Sequence, residues 1–305
     1  MKRILPVSLV AALCTVFIML SACGDVSTLQ PAVESAIESV AEVVATEPAA
    51  EPTEELAAET TEEQAAEHTT EAHWSYEDET GPEHWATLST GHPDCAGNHQ
   101  SPIDLTVAGA QDLANLVFQY QPSAITIVNN GHTVQVSYDS GSSIELDGQR
   151  YNLQQFHFHA PSEHTINGQP AAAELHLVHE VDSGSVSELL PAGSRAVVGV
   201  LIQAGVENLA LQPVWDNLYA ANATPQPVDG QVNAADMLPA VQTTYRYAGS
   251  LTTPPCTQNV AWNVMTEPIQ MSPEQLSAFT KLMGVDTNRP VQPLNDRQLA
   301  VDSTP

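Results

Sequence analysis

Three histidines and a glutamate lie within the ten residues of the stretch QFHFHAPSEH, which begins at Gln155. In an extended strand, residues i and i+2 point to the same face, so His157 and His159 project together. The phenylalanines of this stretch then point to the opposite face, into a core. Two imidazoles on one face can chelate a metal ion, and as core residues each would need its own polar partner. The spacing therefore predicts a metal site.

A third ligand has to come from another strand, and the segment AELHLVHE offers two histidines. Alternation places His176 on the same face as Glu174 and places His179 on the other face. Metal-bound histidines usually donate their second N–H to a carboxylate or an amide, which Glu174 can accept from His176 and Gln155 from His157. This favours His176 as the third ligand. Three histidines without a fourth protein ligand are typical of a catalytic zinc site with a position open for water.

The charge of the chain excludes one large class of partners. The 305 residues carry 8 basic and 37 acidic side chains, for a formal net charge of −29. After Arg3 the next Lys or Arg is Arg150. A chain this acidic cannot bind nucleic acid by neutralising phosphates, and a polyanionic substrate is excluded for the same reason.

The first residues carry the features of an export signal. A basic start, Lys2 and Arg3, precedes an apolar core and the letters LSAC. We interpret residues 1–22 as a lipoprotein signal peptide and Cys23 as the lipidated first residue of the mature chain. An ordinary signal peptide or an uncleaved anchor are the alternatives. The protein is then exported and attached through lipid to a membrane of the bacterial cell envelope, on its periplasmic face or at the cell surface.

Composition divides the remaining chain into three parts. Residues 23–72 are rich in Ala, Glu and Thr, and residues 24–72 hold thirteen acids and no Lys, Arg or aromatic side chain, so we expect a disordered acidic tether. Residues 73–300 form the predicted domain, and residues 301–305 a C-terminal tail. Export also implies an oxidising compartment, so Cys95 and Cys256 are expected to form a disulfide. Two free thiols, or zinc ligation by cysteine, are the alternatives.

The domain itself is predicted to be mostly β, in the α+β class. Short β-rich runs are separated by Gly, Asn, Asp and Pro, and helical patterns are restricted to ENLALQPVWDNLYA and SPEQLSAFTKLM. The second begins with a capping box formed by Ser272 and Gln275. We expect a single domain around a large central, mainly antiparallel twisted β-sheet with a few surface helices.

From about Trp74 to Gln298 the sequence resembles the alpha class of carbonic anhydrases, and in particular its bacterial members. The motifs that carry the resemblance occur in family order: GPEHW, QSPIDL, NNGHTV, QFHFH, SEHT, AAELHLVH, YAGSLTTPPC and RPVQPLNDRQ. A cysteine before QSPI paired with one after TTPP also matches the bacterial members. Single motifs are weak evidence, but QFHFH, AELHLVH and SLTTPP together are specific for this family.

The resemblance implies reversible hydration of CO₂ to bicarbonate and a proton by a zinc-bound hydroxide. Zn²⁺ would be held by His157, His159 and His176. Thr252 would orient the hydroxide and Glu163 would orient Thr252, while His132 would carry protons to buffer. The remaining implied positions are an apolar CO₂ pocket and a set of supporting polar residues: Val178, Val197, Leu251, Val260 and Trp262 for the pocket, and Gln155, Glu174, Tyr76, Ser101 and Tyr247 for the support.

Some positions depart from the better-known animal members, among them Ala160, Glu180 and Ala248, which replace two tryptophans and a proline. None is a predicted ligand. A catalytically inactive surface binding module of the same fold is the main alternative function, and a general zinc hydrolase a further one. The oligomeric state stays open, with a homodimer as one option.

Overall fold

The computed structural model describes residues 73–88, 91–106, 108–182, 194–218 and 223–302. All of them belong to one compact unit, Ala66–Pro305. The predicted signal peptide, the predicted lipidation site Cys23 and the predicted tether lie outside the described residues. Within the described residues there is no helix with the length and apolar character needed to cross a bilayer.

The elements are mostly strands, as predicted. In chain order the strands are β1 (Gly109–Gln111), β2 (Val117–Gln119), β3 (Ser123–Asn129), β4 (Val134–Ser137), β5 (Ser143–Leu146), β6 (Gln149–His159), β7 (Thr165–Ile166), β8 (Gln169–Pro170), β9 (Ala173–Val181), β10 (Arg195–Ala204), β11 (Gln226–Val232), β12 (Thr244–Ser250), β13 (Gln258–Met265), β14 (Ile269–Met271) and β15 (Ala300–Asp302). The α-helices are α1 (Gln212–Trp215) and α2 (Pro273–Met283), and short 3₁₀ helices occupy Asp78–Thr80, Trp85–Thr87, Pro93–Ala96 and Ala234–Met237.

One 13-stranded sheet organises the described chain in the order β1-β15-β12-β13-β10-β9-β6-β4-β3-β11. Strand β14 pairs with β10, β2 with β5, and β5 with β6, while β7 and β8 form a separate hairpin. The pairings of β1 with β15, β10 with β13 and β10 with β14 are parallel. The sheet is therefore mixed. Its other pairings are antiparallel, so the prediction of a mainly antiparallel sheet is confirmed, although the sheet is not purely antiparallel. Strand β15 extends to Asp302, past the domain end predicted at residue 300.

Helices cover little of the sheet. The predicted capping box of α2 is present, with both reciprocal hydrogen bonds between Ser272 and Gln275. The other predicted helix is reduced to α1, because Pro213 has no N–H to donate and fits only in a first helical turn. Residues before Gln212 therefore cannot continue this helix towards the N-terminus.

An apolar cluster apart from the main core fastens the N-terminal part of the domain. Trp85, Cys95 and Cys256 form the buried centre of this N-terminal cluster. The disulfide Cys95–Cys256 predicted from the sequence is present and joins residues 161 positions apart. It links the Pro93–Ala96 helix to the loop between β12 and β13, which carries Thr252.

Candidate metal centre

Two neighbouring central strands bring the predicted ligands together. In the antiparallel pairing of β6 with β9, His157 lies directly opposite His176, and His159 lies opposite Glu174. The alternate residues Phe156 and Phe158 are fully buried in the core on the other face of the sheet. The strand alternation inferred from the sequence therefore holds at this site, and the ligand atoms of the three histidines lie within 4.8 Å of one another.

Hydrogen bonds fix which nitrogen of each imidazole carries the proton. Nδ1 of His159 faces the backbone carbonyl oxygen of Thr287, which can only accept. Nε2 of His176 lies 3.0 Å from a carboxylate oxygen of Glu174. Nδ1 of His157 lies 2.9 Å from Oε1 of Gln155. Each of these ring nitrogens is the donor, so the opposite nitrogen of each ring keeps its lone pair.

The resulting lone pairs belong to Nε2 of His157, Nε2 of His159 and Nδ1 of His176. Nε2 of His159 is buried without a hydrogen-bond partner among the described residues, a costly state for a polar atom that a metal ion would relieve. Burial lowers the pKa of all three imidazoles, that of His159 to about 4. Neutral imidazoles with converging lone pairs are the form in which histidine binds a metal, so these residues fit a cation.

A second group of potential ligands overlaps the first but is already saturated. It comprises His164, Glu174 and His176. Oε1 of Glu174 lies 2.7 Å from Nδ1 of His164, and Oε2 accepts the backbone N–H groups of Glu163 and His164. With its Oε1 already shared between His164 and His176, this carboxylate supports a ligand and is not itself free to bind an ion.

The support continues outward from His164. Its Nε2 lies 2.7 Å from the hydroxyl of Tyr247, which donates to the hydroxyl of Ser101 at 2.9 Å. The predicted pair of Ser101 and Tyr247 is therefore hydrogen-bonded, and through His164 it connects to Glu174. Although burial acts in the opposite direction, the rings of His164 and His176 hold the pKa of Glu174 well below its usual range. Its carboxylate stays ionised and orients His176.

Packing leaves room for this carboxylate. Gly199 of β10 lies opposite His176 of β9. A Cβ atom at position 199 would come within 3.0 Å of Oε1 of Glu174 and 3.3 Å of Val264. The glycine thus permits the close approach of Glu174, a requirement that the sequence alone did not indicate.

Glu163 lies beside the ligands without taking the place of one. Its Oε1 accepts the backbone N–H of Arg289 at 2.9 Å. Within the part of the chain that the structure describes, its Oε2 has no hydrogen-bond partner, and it lies 3.6 Å from Nε2 of His159 and 3.9 Å from Nδ1 of His176. Burial raises the pKa of Glu163 to about 7, against the lowering effects of His176, the Arg289 N–H and the Thr252 side chain.

A cavity of about 190 Å³ opens beside the histidines. Its lining combines the predicted apolar wall with polar residues, namely Gln155, His157, His176, Val178, Arg195, Val197, Leu251, Thr252, Thr253 and Trp262. Val260, predicted for the same wall, is absent from this lining. It is 2% exposed and packs with Val197 and Trp262 inside an apolar cluster, so its place in the wall stays a prediction.

His132 and Tyr76 lie in an aromatic group outside that lining. The His132 ring stacks on Trp74 with ring centroids 3.5 Å apart, and on His73 at 5.0 Å. Burial, assisted by His73, lowers the pKa of His132 to about 4. The hydroxyl of Tyr76 is buried and has no hydrogen-bond partner in the described ranges, and burial together with the negative charge of Glu163 raises its pKa.

Comparison with known proteins agrees with this geometry. Residues 80–303 match the family of eukaryotic-type carbonic anhydrases. The chain belongs to the carbonic anhydrase family. A carbonic anhydrase of Nostoc sp. is 43% identical over 232 residues, which cover 74% of this chain and 84% of the relative. A carbonic anhydrase of Klebsiella pneumoniae is 40% identical, with 74% and 89% of the two chains covered.

Solved structures give the same result. The alpha-carbonic anhydrase from Thermovibrio ammonificans, determined in complex with the inhibitor sulfanilamide, is 42% identical with a TM-score of 0.70. The match covers 75% of this chain and 99% of that structure. A hyperthermostable carbonic anhydrase from a hydrothermal vent chimney is 45% identical at the same TM-score and the same coverage of both chains. The present chain is thus an enzyme of the carbonic anhydrase type.

Several residues of this carbonic anhydrase site were missed in the sequence. The Thr287 carbonyl lies 128 positions from His159, and a carbonyl group has no residue-type signature. The side chain of Arg289 donates to Gln100 and to the carbonyls of Ser101 and Cys95, while its backbone holds Glu163. Arg289 is the first residue of the motif RPVQPLNDRQ, and this motif was the sequence feature that could have indicated its role.

Proposed function

We propose that the protein catalyses the reversible hydration of CO₂ to bicarbonate and a proton with zinc as its metal. The observation that carries this proposal is the convergence of three imidazole lone pairs whose opposite nitrogens are all held by acceptors. Three neutral nitrogen ligands with no fourth protein ligand are the donor set of a catalytic zinc site. When bound there, zinc acts as a Lewis acid that makes water a nucleophile at neutral pH.

Glu163 and Thr252 are proposed to orient the oxygen nucleophile. The Thr252 side chain favours the ionised form of Glu163, as expected if its hydroxyl donates to this carboxylate. A hydroxyl that donates in one direction accepts with its lone pairs in the other, towards the cavity that Thr252 lines. A divalent cation in the site would further favour the carboxylate form of Glu163.

The apolar wall is proposed to receive CO₂. Val178 of β9 lies directly opposite Val197 of β10, and Val197 is also paired with Trp262 of the neighbouring strand β13. These side chains line the same cavity as His157 and His176. An apolar surface next to the nucleophile suits a substrate without charge or hydrogen-bond donors.

Proton export is proposed to use His132, and the mature protein is proposed to be held at the cell envelope by lipid on Cys23. Support for His132 comes from its motif, NNGHTV, and support for the anchor from the sequence LSAC. In the stacked arrangement the pKa of His132, about 4, is too low for efficient proton acceptance at neutral pH. We therefore propose that the His132 ring leaves the Trp74 stack when it accepts a proton.

Removal and return of zinc test the function. We expect CO₂ hydration, followed by pH change in a stopped-flow instrument, to vanish after dialysis against a strong chelator and to return with one equivalent of Zn²⁺. The inactive binding module of the same fold predicts no activity in any of these states. Zinc bound at one equivalent without CO₂ hydration would overturn the proposed enzyme.

A further inference from the structure

A loose ion pair lies directly beyond the apolar wall of the cavity. Glu180 lies on the same face of β9 as His176 and Val178, because these positions differ by two. Arg195 shares its face of β10 with Val197 in the same way. In the antiparallel register Arg195 lies opposite Glu180, one step along the face from the pair of Val178 and Val197. The two charged residues therefore stand where the apolar wall ends.

The contact between these two charges is weak. Nη2 of Arg195 and Oε1 of Glu180 are 4.0 Å apart, beyond hydrogen-bond distance, and their side chains are 35% and 41% exposed. By contrast, Nη2 of Arg246 lies 3.3 Å from Oδ2 of Asp302, and the side chains of this pair are only 11% and 2% exposed. A pair as long and exposed as Arg195–Glu180 does not saturate a guanidinium, whose N–H groups remain available to another oxyanion.

The position of Arg195 is unusual for the charge of this chain. The formal net charge of the chain is −29, yet the cavity is lined by an arginine, Arg195. The other described residues in that lining include no lysine or arginine. A cation in a cleft attracts anions locally even when the protein as a whole repels them. The proposed reaction takes up a neutral molecule and must release an anion through this opening, so a charge at this place acts on the product and on the reverse substrate.

We propose that Arg195 is an anion-binding residue at the mouth of the metal-site cavity, that it binds bicarbonate, and that Glu180 competes with bicarbonate for it. The planar guanidinium fork matches the two oxygens of a carboxylate-like anion. The identity of the anion rests on the proposed function, whereas anion binding at Arg195 rests on the geometry of the cavity.

Kinetics constrain how this role would show. Hydration and dehydration share one equilibrium constant, so a substitution changes kcat/KM by the same factor in both directions at a given pH. We therefore expect weaker binding of bicarbonate at Arg195 to raise both the KM for bicarbonate and its dissociation constant. A changed ratio of the two kcat/KM values is not expected.

Direct titration of the zinc-loaded protein with sodium bicarbonate, at constant pH and ionic strength, tests the proposal. Binding is followed by the Nε–Hε NMR resonance of Arg195, assigned by its loss in Arg195→Gln, and by calorimetry. We expect Arg195→Gln to raise the dissociation constant about three- to fivefold, the upper part of the range for one exposed ion pair. Arg150→Gln is the matched control, because it removes the same charge from an exposed position outside the cavity lining.

The role of Glu180 is tested with a double-mutant cycle. Glu180→Gln should tighten bicarbonate binding by about two- to threefold when Arg195 is present, and leave it unchanged in the Arg195→Gln background. Equal effects in both backgrounds would show that Glu180 acts by long-range charge, which would overturn the competition.

Two outcomes separate this inference from the proposed function. If Arg195→Gln and Arg150→Gln change bicarbonate binding equally, or neither changes it, while zinc content is retained, the anion-binding role is overturned whatever the enzyme activity. If bicarbonate binding depends on Arg195 but CO₂ hydration is absent with zinc bound, the proposed function fails and the anion site stands.

Discussion

The interior and the rim of the carbonic anhydrase site are held in different ways. In the interior, His176, Glu174, His164 and Tyr247 form one buried chain of hydrogen bonds of 2.7–3.0 Å. At the rim, Arg195 meets Glu180 at 4.0 Å. Near the N-terminal cluster, His132 is held by ring stacking. The interior can therefore impose one ligand geometry, whereas the outer residues proposed to bind an anion or to carry a proton are held by weaker contacts.

Breaking the interior at a ligand should have the largest effect. His176→Ala removes the Nδ1 lone pair from the ligand set, and we expect the loss of bound zinc together with CO₂ hydration down to the rate of buffer alone. Metal content by plasma emission spectrometry and stopped-flow assays measure the two losses. His99→Ala, a change at an exposed histidine that pairs with Asp296, is the control and should keep both. Full zinc occupancy in His176→Ala would show that another residue completes the site.

The second effect concerns proton transfer outside the interior. We expect His132→Ala to reduce turnover in weak buffer on the order of a hundredfold, the lower part of the range for a positioned acid or base. Added imidazole should restore turnover, since it supplies a diffusible proton acceptor. Zinc content should stay unchanged, in contrast to His176→Ala. Unchanged turnover in weak buffer would remove His132 from the mechanism.

A third change weakens the interior without removing a ligand. Glu174→Gln keeps the shape of the side chain but loses the negative charge shared by His164 and His176. We expect zinc affinity to fall by about 10- to 100-fold, as for other partners of metal-bound histidines. Competition with a chromophoric chelator measures this affinity. His164→Ala should retain zinc with a smaller loss of zinc affinity, because His164 lies one hydrogen bond further from the metal ligand His176. A greater loss of affinity than in Glu174→Gln would contradict this order of the hydrogen bonds.

The smallest effect is a shift in titration near the N-terminal cluster. Trp74→Ala should expose His132 and raise its pKa from about 4 towards the ordinary 6.5, which an NMR titration of the imidazole C–H resonances detects. Because the folded-state pKa is below the unfolded value, stability should fall as pH drops from about 6.5 to about 4, less so in Trp74→Ala. An unchanged pKa would show that Trp74 is not the cause of the burial.

Local sequence patterns predicted much of this molecule. Strand alternation identified His157 and His159, and the carboxylate at Glu174 selected His176 over His179. His179 is indeed used elsewhere, hydrogen-bonded to Tyr120 in the core. The capping box of α2 was visible in the same way, because its two partners are three residues apart.

Long-range contacts could not be predicted from local sequence patterns. The register that sets His157 opposite His176 depends on a bulge between Leu153 and Gln155, and the Thr287 carbonyl returns from a distant loop. The lowered pKa of His132 arises from burial and from His73, in a place where the ring stacks on residues 58 and 59 positions earlier in the chain. The position of Arg195 depends on the pairing of β9 with β10. Such contacts depend on the complete fold.

X-ray diffraction data from the zinc-loaded protein, collected on both sides of the zinc absorption edge, would identify the metal ligands. We expect one anomalous peak, coordinated by Nε2 of His157, Nε2 of His159 and Nδ1 of His176, with Nε2 of His176 still hydrogen-bonded to Glu174. A peak coordinated by His164 and Glu174, or by Nε2 of His176, would contradict this ligand set.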